Sequence, residues 1–82
     1  MIDNFISGNT FLKWRKIMIL KGGRKVDFDW LLDIAAGVSW RKLQNIILNP
    51  EQCFSLEISI EEIEVIWESH LKYNTPLQYL IS

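Results

Sequence analysis

Cysteine occurs once in this 82-residue chain, at Cys53, and histidine once, at His70. A single thiol excludes an internal disulfide, and one thiol with one distant imidazole gives no metal-ligand spacing. The simple reading is a reducing, cytoplasmic setting and a core closed by apolar packing alone. No apolar run approaches the roughly 20 residues that cross a bilayer, and Met1-Ile2-Asp3-Asn4 lacks the basic start of a signal peptide. Glycine is scarce, and its one pair, Gly22-Gly23, reads as a helix stop; a phosphate or dinucleotide loop needs further glycines after a strand. Strand alternation is missing too, since Leu56, Ile58 and Ile60 are assigned to a loop and the helix start that follows it. What is present suits a folded domain. Hydrophobic residues at 49% and charged ones at 23% lie far from a disordered composition, and 82 residues make one domain, 1–82, near the lower size limit for a core without staples.

The clearest local signals lie between Leu56 and Ser82. Ser59 followed by Glu62 is a capping box, so a helix starts at about Ile60, with Ile60, Ile63, Ile66, Trp67, His70 and Leu71 along one stripe. Asn74 can take the left-handed conformation that ends it, and Thr75-Pro76 then opens a short helix to Leu80. Upstream, Ile2, Phe5 and Ile6 suffice to dock a turn. Asn9 or Thr10 caps a helix to Leu20 that carries Phe11, Trp14 and Met18. Asp27 caps a segment Phe28 to Ala36 whose expected buried stripe is Trp30, Leu31, Ile34 and Ala35. Ser39 starts a helix from Trp40 to Leu48, with Leu43, Ile46 and Ile47 inward, ended before Pro50. Phe54 and Leu56 tuck under the last long helix. The expected class is all-α, a small bundle of about five helices.

Charge is segregated along the chain although the net is −1. Lysines and arginines dominate the first half and glutamates the second, which leaves two readings open: one basic end, or first and fourth helices packed antiparallel with their charges facing. Asp33 to Leu43 reads at first like a helix-turn-helix with Gly37-Val38-Ser39 at its turn. Asp33 stands where that motif needs a small residue at the helix crossing, and the overall acidity suits no phosphate backbone, so direct nucleic-acid binding is not expected. A lone His70 on an apolar face reads as structural, with no triad around it. Trp14, Trp30 and Trp67 read as core. Trp40, first in its helix beside Arg41 and Lys42, reads either as a cover over the turn or as an exposed interface anchor. Arg24 and Lys25 precede the second helix and Trp40 follows it, roughly 14 Å away along the helix axis. Arg24, Lys25, Trp40, Arg41 and Lys42 are therefore the candidate partner-binding set, suited to an acidic protein; no catalytic, cofactor-binding or metal-binding residue is assigned.

The order of several short motifs resembles the N-terminal domain of the HemK/PrmC family of release-factor glutamine methyltransferases. Asn74-Thr75-Pro76-Leu77-Gln78-Tyr79-Leu80-Ile81 is similar to that domain's closing Gly-x-Pro-x-x-Tyr-(Ile/Leu)-x-Gly segment. Asp29-Trp30-Leu31-Leu32, Ala36-Gly37-Val38-Ser39, Leu48-Asn49-Pro50-Glu51 and Ser59-Ile60-Glu61-Glu62-Ile63 resemble its other corners and helix starts, in the same order. Asn74 and Ser82 depart from it where glycine is usual, and His70 with Leu71 where arginines are common. The resemblance implies a substrate-docking domain that helps hold a peptide-chain release factor. A separate domain would transfer the methyl group from S-adenosylmethionine. That catalytic domain, with its Gly-rich donor loop and Asn-Pro-Pro-Tyr motif, is absent from this chain, so no activity of its own is expected. A free-standing helical interaction module is the alternative.

Overall fold

Serine side chains open three of the helices. In the computed structural model, which describes residues 4–81, Ser7 Oγ accepts from the Thr10 amide at the start of α1 (Gly8–Leu20), Ser39 Oγ from the Lys42 amide at α3 (Trp40–Leu48), and Ser59 Oγ from the Glu62 amide at α4 (Ile60–Tyr73). Each serine satisfies one donor that a helix start leaves without an internal partner. The first cap is thus Ser7 and not Asn9 or Thr10. Asn74 ends α4 in the left-handed conformation, at φ 55°, as its residue type allows. Pro76 caps α5 (Leu77–Leu80), one residue later than expected. His70 lies at this corner: its Nδ1–H donates to the Thr75 carbonyl at 2.7 Å, and its ring stacks 5.2 Å from Trp67. The histidine is a structural strut. Ile2 and Ser82 lie outside the described residues.

Not every element is helical. β1 (Phe5–Ser7) pairs antiparallel with β2 (Cys53–Ser55), in the register Phe5 to Ser55, Ile6 to Phe54 and Ser7 to Cys53. The all-α expectation is corrected accordingly to a mostly helical domain with a two-stranded ribbon. Three residues are too few for an alternation signal, and the partner strand lies far along the chain. Pairing continues past the ribbon, since the Gly8 and Asn9 amides donate to the carbonyls of Gln52 and Pro50 at 2.9 and 2.8 Å. Gly8 has to be glycine for that approach: a Cβ there would lie 2.7 Å from the Pro50 oxygen.

The second helix differs most from expectation. α2 runs Lys25–Ala36 with Arg24 as its N-cap residue, so Asp27 sits inside the first turn, where a carboxylate is favoured by the helix dipole. Its buried face is Phe28, Leu31, Leu32 and Ala36; Trp30 and Ile34, expected inside, stand outward with 40% and 55% exposure. Ile47 of α3 is likewise outward, while Leu43 and Ile46 are buried as expected.

Trp67 is at the centre of the core, fully buried, with its ring 5.0 Å from Phe28 in an edge-to-face contact and its Nε1–H donating to the Met18 carbonyl at 3.1 Å. Trp14 donates to Glu64 at 2.9 Å, and Lys21 pairs with Glu68 at 2.7 Å. Positions 14, 18 and 21 of the first segment thus meet 64, 67 and 68 of the fourth in ascending order. The two helices run in the same sense, and the antiparallel alternative is corrected, although opposite charges do face each other. The hydrogen bond and charge of Glu68 hold the exposed Lys21 ammonium above its ordinary pKa. Phe11, Trp14, Met18, Ile63, Leu56 and Leu77 complete the core around these contacts.

Trp67→Ala is expected to lower stability by about 3–5 kcal/mol, read from denaturant unfolding with near-ultraviolet dichroism; a loss under about 1 kcal/mol contradicts the core assignment. Asn74→Ala is expected to lose about 1 kcal/mol through left-handed strain, while Asn74→Gly is expected to hold or gain stability in the same titration.

Candidate functional site

α2 is apolar on both sides, and only one side is covered. Val26, Trp30 and Ile34 recur at four-residue steps along its outer face, and Val26 is 63% exposed. The turn after α2 adds a fourth large group. Gly37 closes the helix in the left-handed region, the Val38 amide donates to the Leu32 carbonyl at 3.0 Å, and Val38 itself is buried. With Val38 pinned and Ser39 capping, Trp40 emerges at the first position of α3 with 73% exposure. A cleft of about 190 Å³ forms between the two helices, lined by Val26, Asp29, Trp30, Asp33, Trp40 and Leu43 among others. On the other side of Trp30 a second hollow, of about 330 Å³, reaches His70, Pro76 and Leu77.

The charges along this face are distributed unequally. Arg15 Nε and Nη2 grip the two oxygens of Asp29 at 2.9 and 2.8 Å, a half-buried bidentate pair. Asp33 is exposed and engages no partner among the described residues. The helix-crossing objection drawn from Asp33 therefore loses its premise, because the carboxylate is not desolvated.

The five sequence-predicted residues do not form one patch. Arg24 is held by Asp27 in a two-pronged contact at 3.0 Å, and this hydrogen bond, followed by the charge of Asp27, raises its pKa above the ordinary arginine value. Lys42 turns away from Trp40, with Nζ 5.2 Å over the Phe54 ring and 3.5 Å from the Ser55 carbonyl. Lys25 and Arg41 are exposed and engage no partner among the described residues. Arg24 and Lys25 sit at the start of α2, whose 12 residues span about 18 Å, and Trp40 lies beyond its end. Of the five, Trp40 alone lines the cleft between α2 and α3, which Val26, next to Lys25 in sequence, also lines. Reading from sequence missed Val26, Trp30, Asp33 and Ile34 as surface groups. The second four-residue stripe was the available signal.

Elsewhere the chemistry is sparse. No cluster of three His, Cys, Asp or Glu side chains forms among the described residues. Gly8 is a glycine that directly follows a strand, as a methyl-donor loop requires, but Pro50 backbone fills the space beside it, so the residues present do not fit S-adenosylmethionine there. Among the described residues no helix is long and apolar enough to cross a membrane.

No protein-family model matches the sequence, and no solved structure matches it significantly. A curated release factor glutamine methyltransferase of Prochlorococcus marinus is 43% identical over 79 residues, covering 96% of this chain. The chain spans 27% of the length of that relative, and the similarity falls on its N-terminal part. Such identity across nearly the whole chain, together with the expected helix order, means that the chain belongs, as an N-terminal domain, to the release factor glutamine methyltransferase family.

Proposed function

We propose that this chain is the docking domain for a peptide-chain release factor, holding it for methylation of a glutamine by a separate S-adenosylmethionine-dependent domain. The observation that supports this reading is the 43% identity to the N-terminal part of a release factor glutamine methyltransferase. The exposed aromatic and aliphatic side chains on α2 and at the start of α3 supply a surface of the right character. Interfaces draw most of their affinity from a few buried aromatic or arginine anchors, and Trp40 is the most exposed of the four tryptophans. Cations at the rim act mainly on the encounter rate. Of the candidate cations, Lys25 and Arg41 are free to do so, whereas Arg24 and Lys42 are engaged within the chain. Trp40 then anchors the partner and Arg41 steers it. The domain performs no chemistry of its own in this reading; it contributes by raising the residence time of the substrate beside the catalytic domain.

Calorimetric titration of the chain with a release factor tests the proposal. Trp40→Ala is expected to weaken binding by about 30-fold or more, and Arg41→Ala combined with Lys42→Ala by less than about tenfold. Absence of binding by the unaltered chain overturns the docking role, and unchanged affinity in all three substitutions places the docking face elsewhere. Titration with S-adenosylmethionine is expected to give no saturable heat. Binding at micromolar concentration contradicts a purely docking domain.

A further inference from the structure

We infer that the cleft between α2 and α3 receives an arginine side chain of the docked protein. The inference rests on the docking reading for the protein that carries the arginine, and on the cleft itself for the chemistry. Three features converge at one place. The walls are apolar, from Val26, Trp30 and Leu43, and suit the methylene stem of a long side chain. Trp40 presents an indole with most of its surface open, and its Nε1–H and that of Trp30 have no partner among the described residues, unlike those of Trp14 and Trp67. An aromatic face beside a charged rim attracts a planar cation. Asp33 supplies a carboxylate without an ion pair among the described residues, while the other carboxylate of the cleft, Asp29, is already neutralised by Arg15.

Charge decides the sign of the occupant. The one unpaired formal charge lining the cleft is negative, so an acidic side chain would meet repulsion there and a basic one attraction. The free cations Lys25 and Arg41 neighbour this cleft in sequence without lining it. They suit acidic groups of the same partner outside the cleft, which reconciles a basic rim with an acidic pocket. Arginine fits better than lysine because its guanidinium can stack on an indole and grip a carboxylate with two parallel N–H bonds. The interaction is a cation–carboxylate pair with a stacked ring, and no covalent step is involved.

The test follows indole and amide resonances of the isotope-labelled chain by NMR during titration with the blocked tripeptides Ala-Arg-Ala, Ala-Lys-Ala and Ala-citrulline-Ala. The arginine peptide is expected to shift the Trp30 and Trp40 indole signals progressively and to leave those of Trp14 and Trp67 in place. Lysine is expected to shift them less, and citrulline, which keeps the shape without the charge, hardly at all. Asp33→Asn is expected to weaken the arginine response about tenfold, as loss of a charge-assisted hydrogen bond predicts, while Glu61→Gln on the exposed side of α4 makes the same charge change without effect. Equal responses to arginine and citrulline, no shift at Trp30 and Trp40, or insensitivity to Asp33→Asn each overturn the inference. Such a failure leaves the docking role standing if the unaltered chain still binds a release factor, so the two are judged separately.

Discussion

The hydrogen bond from the Trp67 indole to the Met18 carbonyl is the contact on which the remaining packing depends. It crosses from α4 to α1 and fixes how deep the largest side chain of the core can sit. The ring then meets Phe28 of α2 on one side and His70 on the other. Gly23, in the turn between α1 and α2, passes so close to the indole that a Cβ would lie 2.9 Å from its ring carbon, and that turn also needs a positive φ of 76°. One side chain thereby sets the separation of three helices and the path of a loop. In a domain of this size few contacts can be redundant, because the apolar area available barely exceeds what ordering the chain requires.

That arrangement determines which side of α2 remains uncovered. Phe28, Leu31, Leu32 and Ala36 turn inward to meet Trp67 and its neighbours, so Val26, Trp30 and Ile34 turn out. Val26 and Trp30 border the same cleft as Trp40, the most exposed of the tryptophans. The exposed stripe is a by-product of core geometry: the same helix rotation that seats Phe28 displays Trp30.

Local signals were legible in the sequence, and relative placement was not. Ser39, Ser59, Asn74 and Pro50 each act on their own backbone neighbours, and the structure has helix boundaries where those residues imply them. The ribbon was illegible because Phe5-Ile6-Ser7 and Cys53-Phe54-Ser55 are each three residues long and become strands only through each other. The inner face of α2 was ambiguous for a different reason. Both Trp30 with Ile34 and Phe28 with Leu32 satisfy helical spacing, and periodicity cannot rank two apolar stripes on one helix. Trp40, Arg41 and Lys42 could be singled out by type, but the direction in which Lys42 turns depends on Phe54, which the ribbon positions.

The ribbon also makes the first three helices a closed ring. Phe5 and Ser55 are joined across roughly 50 positions, so everything from α1 to α3 lies within a loop whose ends are held by backbone hydrogen bonds. Closing such a loop costs entropy that local helix formation does not, so the strand pair is the non-local part of the fold. The Gly8 and Asn9 amides at the Pro50 corner and the Phe54 contact with Phe11 belong to this ribbon, and the Trp67 contacts are separate from it. Phe5–Ser7 therefore clasp the bundle from outside its core, and a fusion placed directly before Phe5 bears on that clasp and not on the Trp67 contacts.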